Sequence, residues 1–172
     1  MGPVSAEVEI DVPRRRAFEF IGDLANRPSF TDHFVSDFHL SRIDSSGVGA
    51  GARFRFFAPP QAVWMDTSIV ELDEPFRIVE RGRGGRTNRI PSTTAWELTE
   101  GPGRLTTVRV SYRTESSHPI DRAKELLGGS SFWYERDWRE ALRRLRDLLE
   151  ADAPAGDRVA VAGGNRYATG IP

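Results

Sequence analysis

The chain has 172 residues, with 24 Lys+Arg against 25 Asp+Glu and a formal net charge of −1. That length suits one domain, burying roughly 70% of the surface its unfolded form exposes, and the charge balance gives no electrostatic drive toward nucleic acid or an acidic membrane surface. The absence of cysteine excludes disulfides, thiol nucleophiles and Cys-based metal sites. The N-terminal residues Met1 to Glu7 lack a basic region followed by an apolar run. No apolar stretch approaches the roughly 20 residues needed to span a bilayer, so the expected location is the cytoplasm.

In chain order, Val4, Ala6, Val8 and Ile10 alternate with polar residues, the period of a half-buried strand. Pro13 opens a helix over Arg14 to Leu24, with Ala17, Phe18, Ile21 and Leu24 at helical spacing. Asn26-Arg27-Pro28 ends it, because proline disfavours a helical residue before it. A short second helix is expected over Ser29 to His33. Strands follow at about 34–44, around Phe54 and Phe56, and at about 62–72, 76–82, 92–99 and 104–114. Turns at Ser45-Ser46-Gly47, Pro59-Pro60, Arg83-Gly84-Gly85-Arg86 and Glu100-Gly101-Pro102-Gly103 separate them. A shorter helical piece, Ile120 to Leu127, precedes a break at Gly128-Gly129.

The period then becomes helical. Tyr134, Trp138, Ala141, Leu142, Leu145, Leu148 and Leu149 form one stripe, and Arg136, Arg139, Glu140, Arg143, Arg144, Asp147 and Glu150 form a wet face. Glu135/Arg139 and Glu140/Arg144 add i,i+4 pairs. Residues 1–153 read as one domain and 154–172 as a poorly ordered tail. Antiparallel strands beside one amphipathic helix imply an α+β fold, a curved sheet of about seven strands wrapped around the C-terminal helix, with two short helices after the first strand.

Four stretches carry a family resemblance. Val8-Glu9-Ile10-Asp11-Val12-Pro13 with Ala17-Phe18-Glu19-Phe20-Ile21, and Gly47-Val48-Gly49-Ala50-Gly51-Ala52-Arg53-Phe54, are the first two. Glu71-Leu72-Asp73-Glu74-Pro75-Phe76-Arg77-Ile78-Val79 is the third, and Thr94-Ala95-Trp96-Glu97-Leu98 with Gly103-Arg104-Leu105-Thr106 is the fourth. In this order the chain resembles the START/Bet v 1-like (SRPBCC, helix-grip) superfamily, in particular its polyketide cyclase/dehydrase-like branch, over residues 5–150. Phe30 stands where many relatives have a tryptophan. The resemblance implies an internal cavity between sheet and helix, and a family that shares a cavity rather than a catalytic motif.

Strand parity places Phe54, Phe56, Ile78, Trp96, Leu98, Val108, Val110 and Tyr112 on the cavity side, with Trp133, Tyr134 and Trp138 as contributors from the helix. For the strand at 62–72 either Met65, Thr67 and Ile69 face inward, or Trp64, Asp66, Ser68 and Val70 do. Glu80 shares the parity of Ile78, so it is the candidate general acid or base, unless the strand bends and pairs it with a nearby arginine. Asp66 is a second candidate under the alternative parity. His33 is placed near the cavity mouth as a ligand contact, and His39 faces solvent. Three dispersed histidines, His33, His39 and His118, make no metal site. Gly47, Gly49 and Gly51 lack a Gly-Lys-Ser/Thr and lead into a strand, so no phosphate loop is expected, and no Gly-x-Ser-x-Gly elbow appears. No cofactor is therefore anticipated. Arg81, Arg83, Arg86 and Arg89 form a basic cluster, a solvated loop or a surface for an anionic ligand or an acidic carrier protein.

Three functions remain open. One is binding of a hydrophobic small molecule such as a polyketide, lipid or aromatic metabolite. Another is a polyketide cyclase or dehydratase acting in the same cavity without metal or nucleotide. The third is a protein-interaction or chaperone-like module using the groove.

Overall fold

The computed structural model describes residues 3–58, 61–85, 90–115, 130–151, 158–161 and 164–167. The Pro59-Pro60 turn, Arg86, Arg89, His118, the Ile120–Leu127 helix and its glycine break lie outside the described residues.

Strand β1 (Val4–Ile10) buries Val4, Ala6 and Ile10, as its alternation requires. Pro13, with φ near −58°, leads into α1 (Arg14–Gly22), whose Ala17, Phe18 and Ile21 face the core. This helix stops short of the expected Leu24. Asp23 leaves helical geometry, and its carboxylate accepts from the Ala25 backbone N–H at 2.9 Å, capping a 3-10 turn over Leu24–Asn26. One helical turn, α2 (Pro28–Thr31), follows with proline at its start.

The remaining strands are β2 (Val35–Leu40), β3 (Gly51–Ala58), β4 (Gln61–Asp73), β5 (Arg77–Gly84), β6 (Ile90–Glu100) and β7 (Thr106–Thr114). They run β1-β7-β6-β5-β4-β3-β2 across the sheet, with every pair antiparallel. Two irregularities help it curl: one in β2 against β3, where Asp37 takes φ of 51°, and one between Ile69 and Glu71 against β5. The first bulge explains why Val35 and Phe38, three apart, are both buried.

Helix α3 (Ser130–Glu150) lies in the concave face, with Trp138, Ala141, Leu142, Leu145 and Leu149 buried. Its wet face carries the expected Glu135–Arg139 and Glu140–Arg144 pairs. The result is the helix-grip fold. No helix among the described residues is long and apolar enough to cross a membrane.

Within the stretch expected as a poorly ordered tail, the described residues form two short strands, β8 (Arg158–Val161) and β9 (Gly164–Tyr167). β8 pairs in parallel with the outer edge of β2, and β9 pairs with β8. An edge strand offers a row of unpaired backbone groups, and Val159-Ala160-Val161 is a sequence able to use them.

Within the sheet one inward row is made of small residues: Thr67, Gly82 and Ser92 are mutual register partners. A Cβ built on Gly82 would lie 2.4 Å from the Asp66 carbonyl oxygen and 2.8 Å from Ser92 Oγ. The strands approach too closely there for any side chain. Gly82→Ala should therefore destabilise the fold by about 1–3 kcal/mol, measured as a lowered urea midpoint with unchanged slope.

Candidate functional site

Sheet register separates the concave face into two zones. At one end the row Leu72–Ile78–Trp96–Val110–Ala6 runs across β4, β5, β6, β7 and β1. At the other end runs Ile69–Glu80–Thr94–Tyr112, followed by the small row through Gly82. The first zone is solid, with Ile78, Trp96, Leu98, Val108 and Val110 fully buried. The second zone holds a cavity. Leu24, Arg27, Thr31 and Phe34 close it from the helical segment, and Trp138 closes it from α3.

This division corrects part of the expected lining. Phe54, Phe56, Tyr112, Trp138 and Glu80 line the cavity. Ile78, Trp96, Val108 and Val110 have the expected inward parity but pack in the core instead. Strand parity tells in from out; it does not tell which inward positions a helix covers directly. β4 presents Met65, Thr67 and Ile69, while Trp64 and Val70 stay exposed. Asp66 accordingly faces outward, near Arg53.

Glu80 is 2% exposed. Both outcomes foreseen for it occur together, since it points inward and is paired with an arginine. Arg27 Nη2 donates to Glu80 Oε1 at 2.6 Å, and the Trp96 indole N–H donates to the same oxygen at 2.9 Å. Thr67 donates to Oε2 at 3.3 Å. The Arg27 guanidinium carbon stands 4.9 Å from the Trp96 ring centre. Thr31 Oγ1 donates to the Arg27 carbonyl at 2.8 Å and ties the arginine's backbone to α2.

Much of the remaining lining is aromatic. Phe34 meets Phe56 at 5.2 Å and Trp138 at 5.3 Å between ring centres. Phe56 stacks on Tyr112 with 7° between planes, and Phe38 on Phe54 with 13°. Tyr134 covers Phe56 and Tyr112 from α3. Phe30 does not reach the cavity; it packs edge-on against Trp96. The rings fill much of the space they enclose. A cavity of about 30 Å³ remains between them.

His33 is not among the lining residues. Its Nε2 lies 3.1 Å from the Asp137 carbonyl, where the N–H form donates, and its ring packs edge-on against Phe34. Trp133 packs against Phe132 and Arg136. Arg81 and Arg83 face outward on β5. A separate polar groove of about 550 Å³ between β1 and α3 is lined by Glu7, Arg109, Arg139, Arg143 and Arg146. Each of those arginines has an acidic partner. Among the described residues no group of three His, Cys, Asp or Glu is placed to hold a metal ion.

Sequence reading missed Arg27, Thr31, Phe34 and Ser92. A signal existed for the first three. Leu24, Arg27, Thr31 and Phe34 recur at helical spacing, so an arginine sits on an otherwise inward face.

The family model described as polyketide cyclase / dehydrase and lipid transport matches residues 1–150. The chain belongs to this family. Among solved structures, TTHA0849 of Thermus thermophilus superposes with a TM-score of 0.69 at 18% identity, covering 89% of this chain and 100% of that one. A START superfamily protein of Mycobacterium smegmatis gives 0.56 at 15% identity over 88% and 96% of the two chains. DynU16, from the dynemicin biosynthetic locus, gives 0.56 at 19% identity, covering 89% of this chain and 49% of that one. At these identities the structures share the fold. No curated protein matches the chain.

The family member's buried ion pair yields a direct test. Arg27→Met leaves the Glu80 carboxylate buried without its counter-charge and should cost about 3–5 kcal/mol of stability. In Arg27→Met/Glu80→Leu, where neither charge remains, most of that loss should be recovered in urea denaturation.

Proposed function

We propose that this family member binds a flat, hydrophobic small molecule, of the polyketide or aromatic-metabolite kind, in the cavity between sheet and α3. The observation that carries the reading is the cavity's mixed lining: aromatic faces together with the buried polar residues Arg27, Glu80, Ser92 and Thr94 and the half-buried Thr67. A side-chain set serving only as core would be cheaper in apolar residues, because buried charges are costly to desolvate. Apolar surfaces with a few placed polar groups are what small-molecule sites use to hold and orient a ligand.

Ligand entry requires the rings to part, since the open cavity is only about 30 Å³. The stacked pairs Phe56/Tyr112 and Phe38/Phe54 present planar faces, and a flat ligand replaces ring–ring contact with ring–ligand contact of the same kind. Met65, unbranched and polarizable, supplies an adaptable part of the wall.

A catalytic version of this reading assigns proton transfer to Glu80. Oε1 already accepts two donors, whereas Oε2 accepts only from Thr67 at 3.3 Å. Oε2 is the oxygen with acceptor capacity left for a substrate proton.

Native mass spectrometry of the purified protein, followed by solvent extraction, should find a 1:1 complex with a hydrophobic aromatic molecule. Bound ligand should protect Trp138 fluorescence from acrylamide. A protein that carries no small molecule, and takes up none from a panel of polycyclic aromatic ketones, would sink the reading in favour of a groove for a protein partner. With a poly-β-ketone substrate, Glu80→Gln should retain binding and lose turnover; equal turnover by both would remove Glu80 from the chemistry.

A further inference from the structure

We infer that the open edge of β1 takes up an extended acidic segment of a partner protein as an additional strand, with arginines of α3 holding its carboxylates. This surface lies outside the cavity, and the inference stands apart from the ligand reading above.

The two sides of the seven-strand sheet are finished differently. On one side β8 pairs with β2. On the other, β1 pairs with β7 alone among the described residues. Its register against β7 is unbroken from Val4 to Ile10, without a bulge, and no proline interrupts it. Such an edge leaves backbone N–H and C=O groups unpaired along its free side. Another backbone in extended form matches that spacing of donors and acceptors.

The polar groove of about 550 Å³ follows this edge. Residues 5–8 of β1 line it, alternating between exposed Ser5 and Glu7 and the inward Ala6 and Val8. Consecutive residues of both parities reach the groove, so it borders the strand's edge rather than one face. The lining also holds Arg139, Arg143 and Arg146 of α3 and Arg109 of β7. The three helix arginines share one stripe and rise about 10 Å along it, while residues 5–8 extend about 10 Å. The Asp11 N–H donates to Glu150 Oε1 at 3.0 Å and ties the end of α3 to the end of β1.

Charge selects the occupant. Four arginines against Glu7 leave the lining with three positive charges in excess. The helix arginines pair with Glu135, Glu140 and Asp147, none of which lines the groove. Glu140 is moreover shared with Arg144. The Arg139, Arg143 and Arg146 side chains stay 57%, 64% and 41% exposed. Ion pairs so exposed contribute little, so incoming carboxylates can take their place. A second copy of this chain is a poorer occupant, because a two-fold contact sets the positive lining against itself.

The test follows the fluorescence anisotropy of a labelled (Val-Glu)4 peptide added to the full chain at low ionic strength. The peptide should bind, and (Val-Lys)4 should bind about tenfold or more weakly. Methylating every backbone nitrogen of (Val-Glu)4 keeps its charges but removes its N–H donors, and should weaken binding about tenfold or more. Arg139→Gln/Arg143→Gln should weaken it about three- to tenfold with an unchanged urea midpoint. Hydrogen exchange at the amides of residues 5–8 should slow when the peptide binds. Absence of (Val-Glu)4 binding, or equal binding of the lysine peptide, would overturn the inference. Binding indifferent to N-methylation would reduce the surface to a charged patch and remove strand addition. A wild-type chain that sediments as a dimer with these amides already protected would assign the edge to a second copy instead.

Discussion

Arg27 and Glu80 lie 53 residues apart in sequence and 2.6 Å apart in the fold. Their ion pair joins the helical turns after α1 to the centre of the sheet, and it does so with both side chains almost wholly out of water. Such a pair gains little over an apolar core, yet it is severe on any arrangement that separates its members. The structure meets the demand with the Trp96 indole N–H and the Thr67 hydroxyl on the carboxylate, and with Trp96 and Phe30 beside the guanidinium. Trp96 is consequently a hinge of the whole arrangement: it sits in the solid zone, supports Arg27, and meets Trp138 of α3 edge-on.

From that pair the cavity follows. Where α1 and α3 press on the sheet, the inward rows are filled by Ile78, Trp96, Leu98, Val108 and Val110. Beyond Glu80 the next inward row narrows to Thr67, Gly82 and Ser92. Small and polar side chains there keep the wall low, and the strands approach too closely at Gly82 for any substituent. The aromatic residues facing this wall touch one another as much as they touch the sheet. Their ring contacts are edge-on or stacked pairs, geometries of modest individual strength. A lining held by such contacts can be exchanged for ligand contacts, whereas the ion pair and its donors cannot move without exposing buried charge. The site thus combines a fixed polar end with an adaptable apolar one.

Much of this was readable from residue order. Period-two alternation located β1, β3 and β7, and the turn at Glu100–Gly103 located β6. The stripe from Tyr134 to Leu149 located α3, and the order of strand, helices, strands and helix led to the helix-grip expectation that the family match supports. Parity also predicted that Glu80 points inward. What failed is instructive. Ile78, Trp96, Val108 and Val110 share that parity but lie beneath helices, and His33 turns to the backbone of α3. Residues 158–161 and 164–167 show no clear periodicity, and they pair at an open sheet edge, where backbone pairing asks little of side chains.

Sequence alone therefore determined the elements, their facing and the chemical stock of the interior, because local periodicity records burial one element at a time. It also excluded thiol chemistry outright. Only the tertiary structure decided which inward residues meet each other. Glu80 acquires its meaning from Arg27, Trp96 and Thr67, on three separate segments of the chain. A buried polar group's partners are set by the packing of segments distant in sequence, and no pattern within one segment encodes them.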